Sequence, residues 1–386
     1  MKILIDGTYY QNGIYHGGGE YGNVILDKLL HIDDRDFGII FYQDLKTDNT
    51  KIPACIEKGW EIFPISGFHE VPRILSDNNY DVFYSPLPYQ DNRTDIKLPN
   101  NVKYIATIHG LRTIELLDYI GITNNNPNSI WEWEDVAHIY RNYIDAFAIS
   151  DNRCIIAISE HTKYSIYNTF PELENEPIEV LYSPQKLTPP CCDNEEEALS
   201  SIKLQKDNYA LMVSADVWYK NVPLSLIAYD QIFSMNYSFI NSDYKVVVTG
   251  VADVSEILSQ LENKDRFVLL DYVDSSLLET LYKNAHLFVF PSLNEGFGYP
   301  PMEAMKYGTL CACAASSSIT EVCHDMVLYF NPVMINEIKN RILQSFNPDI
   351  RAMLSDRIQQ VLPEVQRRQK EDLDKLISII ISGGEQ

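Results

Sequence analysis

Two glutamates in a glycine-bearing segment are the side chains whose type and spacing could do chemistry. Glu295 and Glu303 stand eight residues apart in FVFPSLNEGFGYPPMEAMKYG, residues 288–308. The pattern predicts a buried strand, then a loop that Gly296 and Gly298 allow to turn tightly, then a helix that opens on two prolines and carries Glu303 in its first turn. Backbone N–H groups at a helix start attract phosphate, and a loop carboxylate beside them can bind sugar hydroxyls.

Both glutamates also have a second interpretation. Glu303 alone would offset the helix dipole whether or not a ligand binds. Together, Glu295 and Glu303 would also fit the paired acids of a glycoside hydrolase, which stand about 5 to 9.5 Å apart. Such acid pairs normally lack a helix start suited to phosphate, so we rank that interpretation lower.

A histidine in the first half of the chain lies where open parallel sheets collect ligands. His109 follows the apolar run KYIATI, residues 103–108, and so stands at the carboxyl end of a predicted parallel strand. An isolated histidine in such a turn is more often a structural hydrogen-bonding group. The turn by itself therefore favours no ligand.

A glycine cluster near the start fits the fingerprint of dinucleotide-binding folds. The segment GGGEYG spans residues 17–22, and Asp44 follows 22 residues after its last glycine. In that fingerprint the glycines follow the first strand directly. Here ten residues separate Asp6 from Gly17, too many for the tight turn that brings a pyrophosphate to the helix. The spacing argues against NAD.

These candidates depend on short apolar runs that alternate with amphipathic stretches. The runs are rich in Val, Ile, Phe and Tyr and are continuous, which predicts mostly parallel sheets covered on both faces and an α/β fold. They are KILI (2–5), GIIFY (38–42), VFYS (82–85), KYIATI (103–108), CIIAIS (154–159), IEVLYS (178–183), YALMVS (209–214), KVVVTG (245–250), RFVLLDYV (266–273), HLFVFPS (286–292) and TLCACA (309–314).

A change in composition divides the chain into two α/β domains. Between Ser183 and Lys203, three prolines precede an acidic cluster with few bulky apolar side chains, a composition typical of a domain boundary. We place the first domain at residues 1–188 and the second at 189–365. Each contains its own series of strands and helices.

Local signals predict where several helices begin or break. Ser159 precedes EHTKY and is expected to be an N-cap, and Ser318 to Glu321 has the pattern of a capping box. In the last 36 residues apolar side chains recur at helical spacing, and Pro363 predicts a break between two helical pieces.

Composition excludes several classes of protein. The chain has 386 residues, which suits two domains, and its net charge of −23 argues against binding nucleic acid or anionic lipid. Seven cysteines without metal-binding spacing indicate a reducing, cytoplasmic location, and we expect no signal peptide or transmembrane segment. Two D-x-D triplets, Asp34 to Asp36 and Asp372 to Asp374, do not close a buried strand, so we expect no metal site.

The run from Val273 to Leu310 closely resembles the signature of the retaining nucleotide-sugar glycosyltransferases of GT-B fold, a family that includes bacterial mannosyltransferases and sucrose synthases. The two glutamates have the family's E-x7-E spacing, and AHLFVFPS and EGFGYPPMEAM match it beyond the acids. Weaker counterparts are ISEHTKYSI near 158, YALMVSADVWYKN near 209 and SSSITEVCHDMVLYFNP near 316. The resemblance implies two Rossmann-like domains facing a central cleft, with a final helix of about 366–386 packing back on the first.

The resemblance implies roles for residues of the second domain. Glu295 would contact the hydroxyls of the donor sugar, and Glu303 would bind the ribose of the nucleotide. Lys220, in WYKN, would neutralise phosphate charge, and Tyr272 with neighbouring backbone would read the base. The backbone lying against the sugar and the diphosphate would be that of Gly296, Phe297 and Gly298.

In the first domain, the resemblance places His109 beside the donor sugar and the reaction centre. It makes Gly17, Gly18 and Gly19 a flexible loop that opens a helix and faces the donor diphosphate and the acceptor across the cleft.

Two departures from the family pattern weaken the resemblance locally. Where the family usually has an Arg shortly before the Lys, this chain has Ser214, Ala215 and Asp216, so one expected cation is missing. Gly110 stands where the family has Asp beside its His.

The activity implied by the resemblance is transfer of a hexosyl group from a nucleotide diphosphate sugar to a hydroxyl acceptor. Anomeric configuration would be retained, without metal or cofactor, in bacterial glycan or polysaccharide biosynthesis. The acceptor would be a glycan, a lipid-linked sugar or a small molecule, with weak membrane docking at most. Two alternatives stay open: a nucleotide-sugar epimerase or glycosidase, and a non-catalytic protein that binds nucleotide sugars.

Overall fold

The computed structural model describes residues 1–12, 17–45, 51–88, 93, 95–116, 133–187, 194–215, 217–251 and 255–384. The chain divides into two compact units. The first comprises Met1–Leu187 with Arg367–Gln386, and the second comprises Thr188–Gln366. Each unit has its own sheet, and every strand pair in both sheets is parallel.

The first unit is built on a seven-stranded sheet in the order β3-β2-β1-β4-β5-β6-β7. Its strands are β1 (Lys2–Asp6), β2 (Asp36–Tyr42), β3 (Glu61–Ile65), β4 (Val82–Ser85), β5 (Lys103–Ile108), β6 (Arg153–Ala157) and β7 (Ile178–Val180).

The second unit is built on a six-stranded sheet in the order β10-β9-β8-β11-β12-β13. Its strands are β8 (Tyr209–Met212), β9 (Lys245–Val248), β10 (Phe267–Leu269), β11 (Leu287–Phe290), β12 (Cys311–Ala314) and β13 (Leu328–Phe330).

Helices connect the strands of both sheets. The α-helices are α1 (Gly17–Leu29), α2 (Ile52–Glu57), α3 (Val71–Asp77), α4 (Arg112–Glu115), α5 (Trp133–Ala148), α6 (Glu160–Thr169), α7 (Glu195–Ser201), α8 (Val222–Ser234), α9 (Ser255–Gln260), α10 (Ser275–Asn284), α11 (Tyr299–Lys306), α12 (Ser317–Cys323), α13 (Ile335–Gln344) and α14 (Pro348–Ser382). Short 3-10 helices include Thr8–Asn12 after β1 and Trp218–Lys220 after β8.

Burial explains why the strands are continuous apolar runs. Ile3, Leu4 and Ile5 of β1 are all 0% exposed, although successive side chains of a strand point to opposite faces of the sheet. Both faces are therefore covered, as the continuous runs predicted.

The strand order reverses once in each sheet. In the first sheet β1 pairs with both β2 and β4, and in the second β8 pairs with both β9 and β11. Where the order reverses, the loops leaving the two central strands run in opposite directions and open a crevice at the carboxyl edge, the place where such sheets bind ligands.

Two helix predictions are wrong, and one is confirmed. Pro363 lies inside the continuous helix α14, where a proline costs about 3 kcal/mol through its missing N–H and its clash with the preceding turn. Leu362 and Val365 on both sides of it are buried, and we attribute the continuity of the helix to their packing. Ser318 caps no helix end, and its hydroxyl bonds the Glu295 loop instead. Ser159 is an N-cap and accepts from the N–H of Thr162.

The last part of α14 packs on the first unit. The Asp372 carboxylate accepts from the N–H of Tyr182 at 2.8 Å, and Gln369 Nε2 donates to the Ser183 carbonyl at 2.7 Å. These bonds join the helix to the chain segment after β7.

Candidate functional site

In the second unit, the loops that follow β8 and β11 are tied to each other across the strand-order reversal. The N–H of Leu293 donates to the Tyr219 carbonyl at 2.8 Å, which joins the two loops through their backbones. Asn221 ends the first loop in the left-handed conformation, φ 55°, and its side-chain amide donates to the Pro332 carbonyl at 2.8 Å. The crevice is therefore lined by loops of fixed geometry.

These loops bring together Lys220 and Glu295, two residues that the sequence singles out separately. Lys220 Nζ lies 2.6 Å from Glu295 Oε1, and each side chain is only 9% exposed. Ser292 Oγ donates to the same carboxylate oxygen at 2.6 Å. The ammonium also lies 4.8 Å from the centre of the Phe290 ring, a cation–π contact. The result is a nearly buried, hydrogen-bonded ion pair at the carboxyl edge of the sheet.

The turn after Glu295 uses a glycine for a conformational reason. Gly298 has φ 113°, a left-handed conformation that side-chain-bearing residues rarely adopt, and it is the N-cap of α11. Glycine is needed here for its backbone angles, because a Cβ at this position would meet nothing nearer than 4.0 Å.

The position of Glu303 differs from the prediction. Because the cap at Gly298 starts α11 at Tyr299, Glu303 is the fifth helical residue and no acidic side chain lies in the first turn. Glu303 is half-buried. The pKa of Tyr282 is raised well above its usual range, mainly by burial and secondly by the negative charge of Glu303. Glu303 therefore lies beside α10 rather than at the helix start.

The start of α11 offers fewer backbone donors than an ordinary helix start. Pro300 and Pro301 occupy its first turn and carry no N–H, which removes two of the first four donors. Backbone bonds to a phosphate would therefore come from residues 296–299.

The other predicted residues of the second unit follow strands β10 and β8 of the same sheet. Tyr272 follows β10 and is 57% exposed, three strand spacings from β11, roughly 14 Å across the sheet. At the missing arginine, Ser214 has φ 58° and Ala215 donates its N–H to the Thr249 carbonyl. Asp216 lies outside the described residues.

In the first unit, His109 follows β5 and is held by the turn after β4. Its Nε2 lies 2.9 Å from the Pro86 carbonyl. Because a carbonyl oxygen only accepts, Nε2 carries the hydrogen and Nδ1 is the accepting nitrogen. The Tyr21 ring meets the imidazole edge to face at 4.6 Å. Burial lowers the pKa of His109 to about 4, so the ring is neutral at pH 7.

The three glycines predicted to be a flexible loop instead form the first turn of α1. Gly17, Gly18 and Gly19 are helical, and the helix begins at the first of them. Packing explains part of the glycine pattern: a Cβ on Gly18 would lie 1.8 Å from the Tyr9 hydroxyl. Likewise, a Cβ on Gly22 would lie 2.0 Å from the Tyr10 ring. The tyrosines of the 3-10 helix after β1 therefore pack directly against the backbone of α1 at these glycines.

The strand-order reversal of the first sheet holds a polar cluster that the sequence reasoning missed. Asp6 ends β1, Ser85 ends β4, and Arg93 Nη2 lies 2.7 Å from Asp6 Oδ2, with both ionic side chains at most 1% exposed. Ser85 Oγ donates to the same oxygen at 2.6 Å, and Thr8 donates to the other. The signal available was Asp6, a carboxylate that closes an apolar strand. Arg93 stands in a polar stretch of sequence that gives no such signal.

In the part of the chain that the structure describes, no helix is both long and apolar enough to cross a membrane. Among the same residues, no group of three or more His, Cys, Asp or Glu side chains is arranged to hold a metal ion.

Solved structures of other proteins have the same fold as this chain. The chain has the GT-B fold, with a TM-score of 0.67 to WaaG, a glycosyltransferase involved in lipopolysaccharide biosynthesis, at 13% identity over 98% of this chain and 99% of that one. It has a TM-score of 0.66 to Anabaena Alr3699/HepE in complex with UDP-glucose, at 13% identity over 98% and 100% of the two chains.

The family assignment comes from sequence. Residues 193–361 match the family described as Glycosyl transferases group 1, so the chain carries a domain of that family. It is 29% identical to the O-antigen chain mannosyltransferase RfbU of Salmonella typhimurium over 237 residues, 60% of this chain and 62% of that protein. Matches with the first curated relatives cover 62%, 40% and 19% of their lengths.

Proposed function

We propose that this chain is a retaining glycosyltransferase that moves a hexosyl group, mannosyl by its relationship to RfbU, from a nucleotide diphosphate sugar to a hydroxyl acceptor in glycan biosynthesis. The observation that carries the proposal is the Lys220–Glu295 ion pair, 2.6 Å long and at the carboxyl ends of the two strands where the second sheet reverses its order. The UDP-glucose complex of a protein with this fold supports the class of donor.

The ion pair supplies the two functions that such a transfer needs. As the bond between sugar and diphosphate breaks, negative charge grows on the departing phosphate and positive charge on the sugar carbon. Lys220 is placed to stabilise the first, and Glu295 to accept hydrogen bonds from the sugar hydroxyls. In a site with little water, removing one such preorganised group commonly costs about 2.7 to 4 kcal/mol in the barrier.

Binding of a diphosphate would change the partners of the pair. Lys220 Nζ has three hydrogens, so it can bond phosphate oxygen while keeping Glu295. Ser292 also donates to Glu295, so the carboxylate keeps a second hydrogen bond when the ammonium shares its hydrogens with a phosphate. We propose the ribose as the partner of Glu303, the base as that of Tyr272, and backbone contacts to sugar and diphosphate from Gly296, Phe297 and Gly298.

For the first unit, we propose that neutral His109 accepts a hydrogen bond from a sugar hydroxyl at Nδ1. The Pro86 carbonyl supports this by fixing the hydrogen on the other nitrogen. No step of the proposed reaction draws on a metal ion.

The test offers GDP-mannose and UDP-glucose, labelled in the sugar, to the full chain with and without hydroxyl acceptors. The acceptors are free disaccharides, alkyl glycosides and lipid-linked sugars. Label joined to an acceptor with the anomeric configuration of the donor, by NMR, is the expected result, and EDTA should not reduce it. Label released as free sugar means a hydrolase, an altered sugar still on its nucleotide means an epimerase, and binding without change means a non-catalytic protein.

Variants tie the activity to the site. Lys220→Met and Glu295→Gln should each lower turnover at least a hundredfold. The matched control is the surface ion pair of the same unit, Lys283 with Glu195, whose side chains are 49% and 31% exposed. Glu195→Gln should transfer at the rate of the unaltered chain. Equal turnover in all three variants would contradict the assignment of the active site to Lys220 and Glu295.

A further inference from the structure

Three consecutive serines at the start of α12 bond the loop that carries Glu295. Ser316 Oγ donates to the Ser292 carbonyl at 2.8 Å. Ser317 Oγ accepts from the N–H of Glu295 at 2.8 Å. Ser318 Oγ lies 2.8 Å from the Glu295 carbonyl and 2.9 Å from that of Phe297. The serines therefore bond the main chain before, at and after Glu295.

Ser318 is the serine on which the turn depends most. It is 0% exposed, so its hydroxyl bonds the protein and not the solvent. Its single hydrogen is shared between two carbonyls, those of Glu295 and Phe297, and this draws the two ends of the turn toward one point. Losing it would leave both carbonyls without this donor in a buried place, which is costlier than losing a bond at the surface.

The backbone of the serine segment supports a role beyond ordinary packing. Ser317 has φ 46°, a left-handed conformation that a serine adopts only when its surroundings impose it. In this conformation its hydroxyl reaches the N–H of Glu295. The strain sits beside the proposed site, the usual location of such strain in proteins.

We infer that Ser318 is a positioning residue for Glu295. The carboxylate is held from one side by Lys220 and Ser292, while the serines hold the main chain of the same residue from the other. Fixing both ends of the side chain sets where the carboxylate meets the sugar. Displacing a reacting geometry by about 1 Å can reduce turnover a hundredfold, so Ser318 acts on the rate without touching substrate.

This inference rests on the proposed function, and its test separates the two. Ser318→Ala should lower kcat thirtyfold to a hundredfold with the best donor of the panel above. Its Kd for free GDP or UDP should stay within threefold of the unaltered chain, since these probes lack the sugar that Glu295 contacts. Circular dichroism and thermal unfolding report whether the variant is folded at the assay temperature.

The matched control is Ser345→Ala. Ser345 is also 0% exposed in the second unit and donates to one backbone carbonyl, that of Ile342. It lies near His286, which precedes β11, whereas Glu295 follows that strand, so the two serines are at opposite ends of it. Its variant should lose a similar amount of stability and keep kcat.

The outcomes are distinct. A kcat for Ser318→Ala within threefold of the unaltered chain overturns the inference and leaves the proposed function standing, as does an equal loss of kcat in both serine variants. If Ser318→Ala does not fold, Ser317→Ala, at a half-buried position, takes its place with an expected tenfold loss of kcat, and an unchanged kcat there overturns the inference. If the unaltered chain neither binds nor transfers, the proposed function fails and the positioning role falls with it.

Discussion

Lys220 Nζ and Glu295 Oε1 lie 2.6 Å apart although 75 residues separate them in the chain. Lys220 follows β8 and Glu295 follows β11, the two strands that meet where the second sheet reverses its order. The first sheet has a corresponding pair, Asp6 at the end of β1 and Arg93 after β4, whose side chains are at most 1% exposed. An ion pair therefore links the ends of the two central strands at each reversal, but the pair in the second unit is partly exposed to solvent.

The first prediction concerns stability. Lys220→Met leaves the Glu295 carboxylate in a nearly buried place without its cation, and breaking a buried pair in this way costs about 3 to 5 kcal/mol. Adding Glu295→Gln in the same chain removes the unpaired charge and should recover at least half of the loss. Hydrogen exchange in peptides from β8 and β11 measures the free energy of opening of the second unit alone.

The control for this cycle is Lys283→Met. Its surface pair with Glu195 should contribute less than about 1 kcal/mol, since exposed ion pairs are screened by water. Equal costs for the buried and the exposed lysine would contradict a role of Lys220 in holding the second unit together.

The second prediction separates backbone strain from function. Gly298→Ala and Gly308→Ala both place a side chain at positive φ, 113° and 79°, with no atom closer than 4.0 Å to the new Cβ. Each should cost about 1 to 2 kcal/mol in unfolding free energy, seen as a lower Tm. Only Gly298→Ala should lower kcat, at least tenfold, because only that turn carries Glu295. Similar kcat values for the two variants would mean that the turn at Gly298 does not contribute to the activity.

The third prediction concerns the glycines of α1. Gly22→Ala places a Cβ 2.0 Å from a ring carbon of Tyr10, which is 1% exposed and has little room to move. Such overpacking costs about 1 to 3 kcal/mol. Gly17→Ala, at an exposed position of the same helix, should leave the unfolding free energy nearly unchanged. Urea unfolding compares the two, and a neutral Gly22→Ala would mean that close packing is not the reason for this glycine.

Most of the architecture was predictable because a well-buried strand leaves a local signal. The edge strands β3 and β13 are missing from the predicted runs, since each is only partly buried. Buried strands read as apolar runs: KILI covers all of β1 except Asp6, and KVVVTG and HLFVFPS contain β9 and β11. The order of the strands has no such signal, since it depends on which strands pair across long separations. The sequence therefore predicts Lys220 and Glu295 separately, through a family resemblance, and only the reversal of order explains why they touch.

The failures have separate physical causes, and one of them is competition between a local pattern and a tertiary contact. Ser318 and Glu321 have the spacing of a capping box, yet the Ser318 hydroxyl bonds two carbonyls of a neighbouring loop. Glu303 falls outside the first turn because the left-handed cap at Gly298 starts the helix earlier. Arg93 could not be found from sequence, because its partner Asp6 lies 87 residues away.

The last prediction concerns pH. His109 has its pKa lowered to about 4 by burial, against an ordinary value near 6.5. Between these values the unfolded chain binds a proton that the folded chain does not. The contribution of neutral His109 to stability is therefore complete above about pH 6.5 and is lost as the pH falls toward 4. At pH 5 the loss should be roughly 2 kcal/mol.

Comparing variants isolates this histidine from the many carboxylates that also titrate. Between pH 7.5 and pH 5, the unfolding free energy of the unaltered chain, from urea titrations, should fall by roughly 2 kcal/mol more than that of His109→Gln. His31→Gln is the control, because His31 is exposed and its ring contacts the Asp27 carbonyl of the preceding helix, so this variant should keep the full pH dependence. If His109→Gln keeps it as well, the imidazole is not buried in its neutral form, and the proposed acceptor role of Nδ1 loses its physical basis.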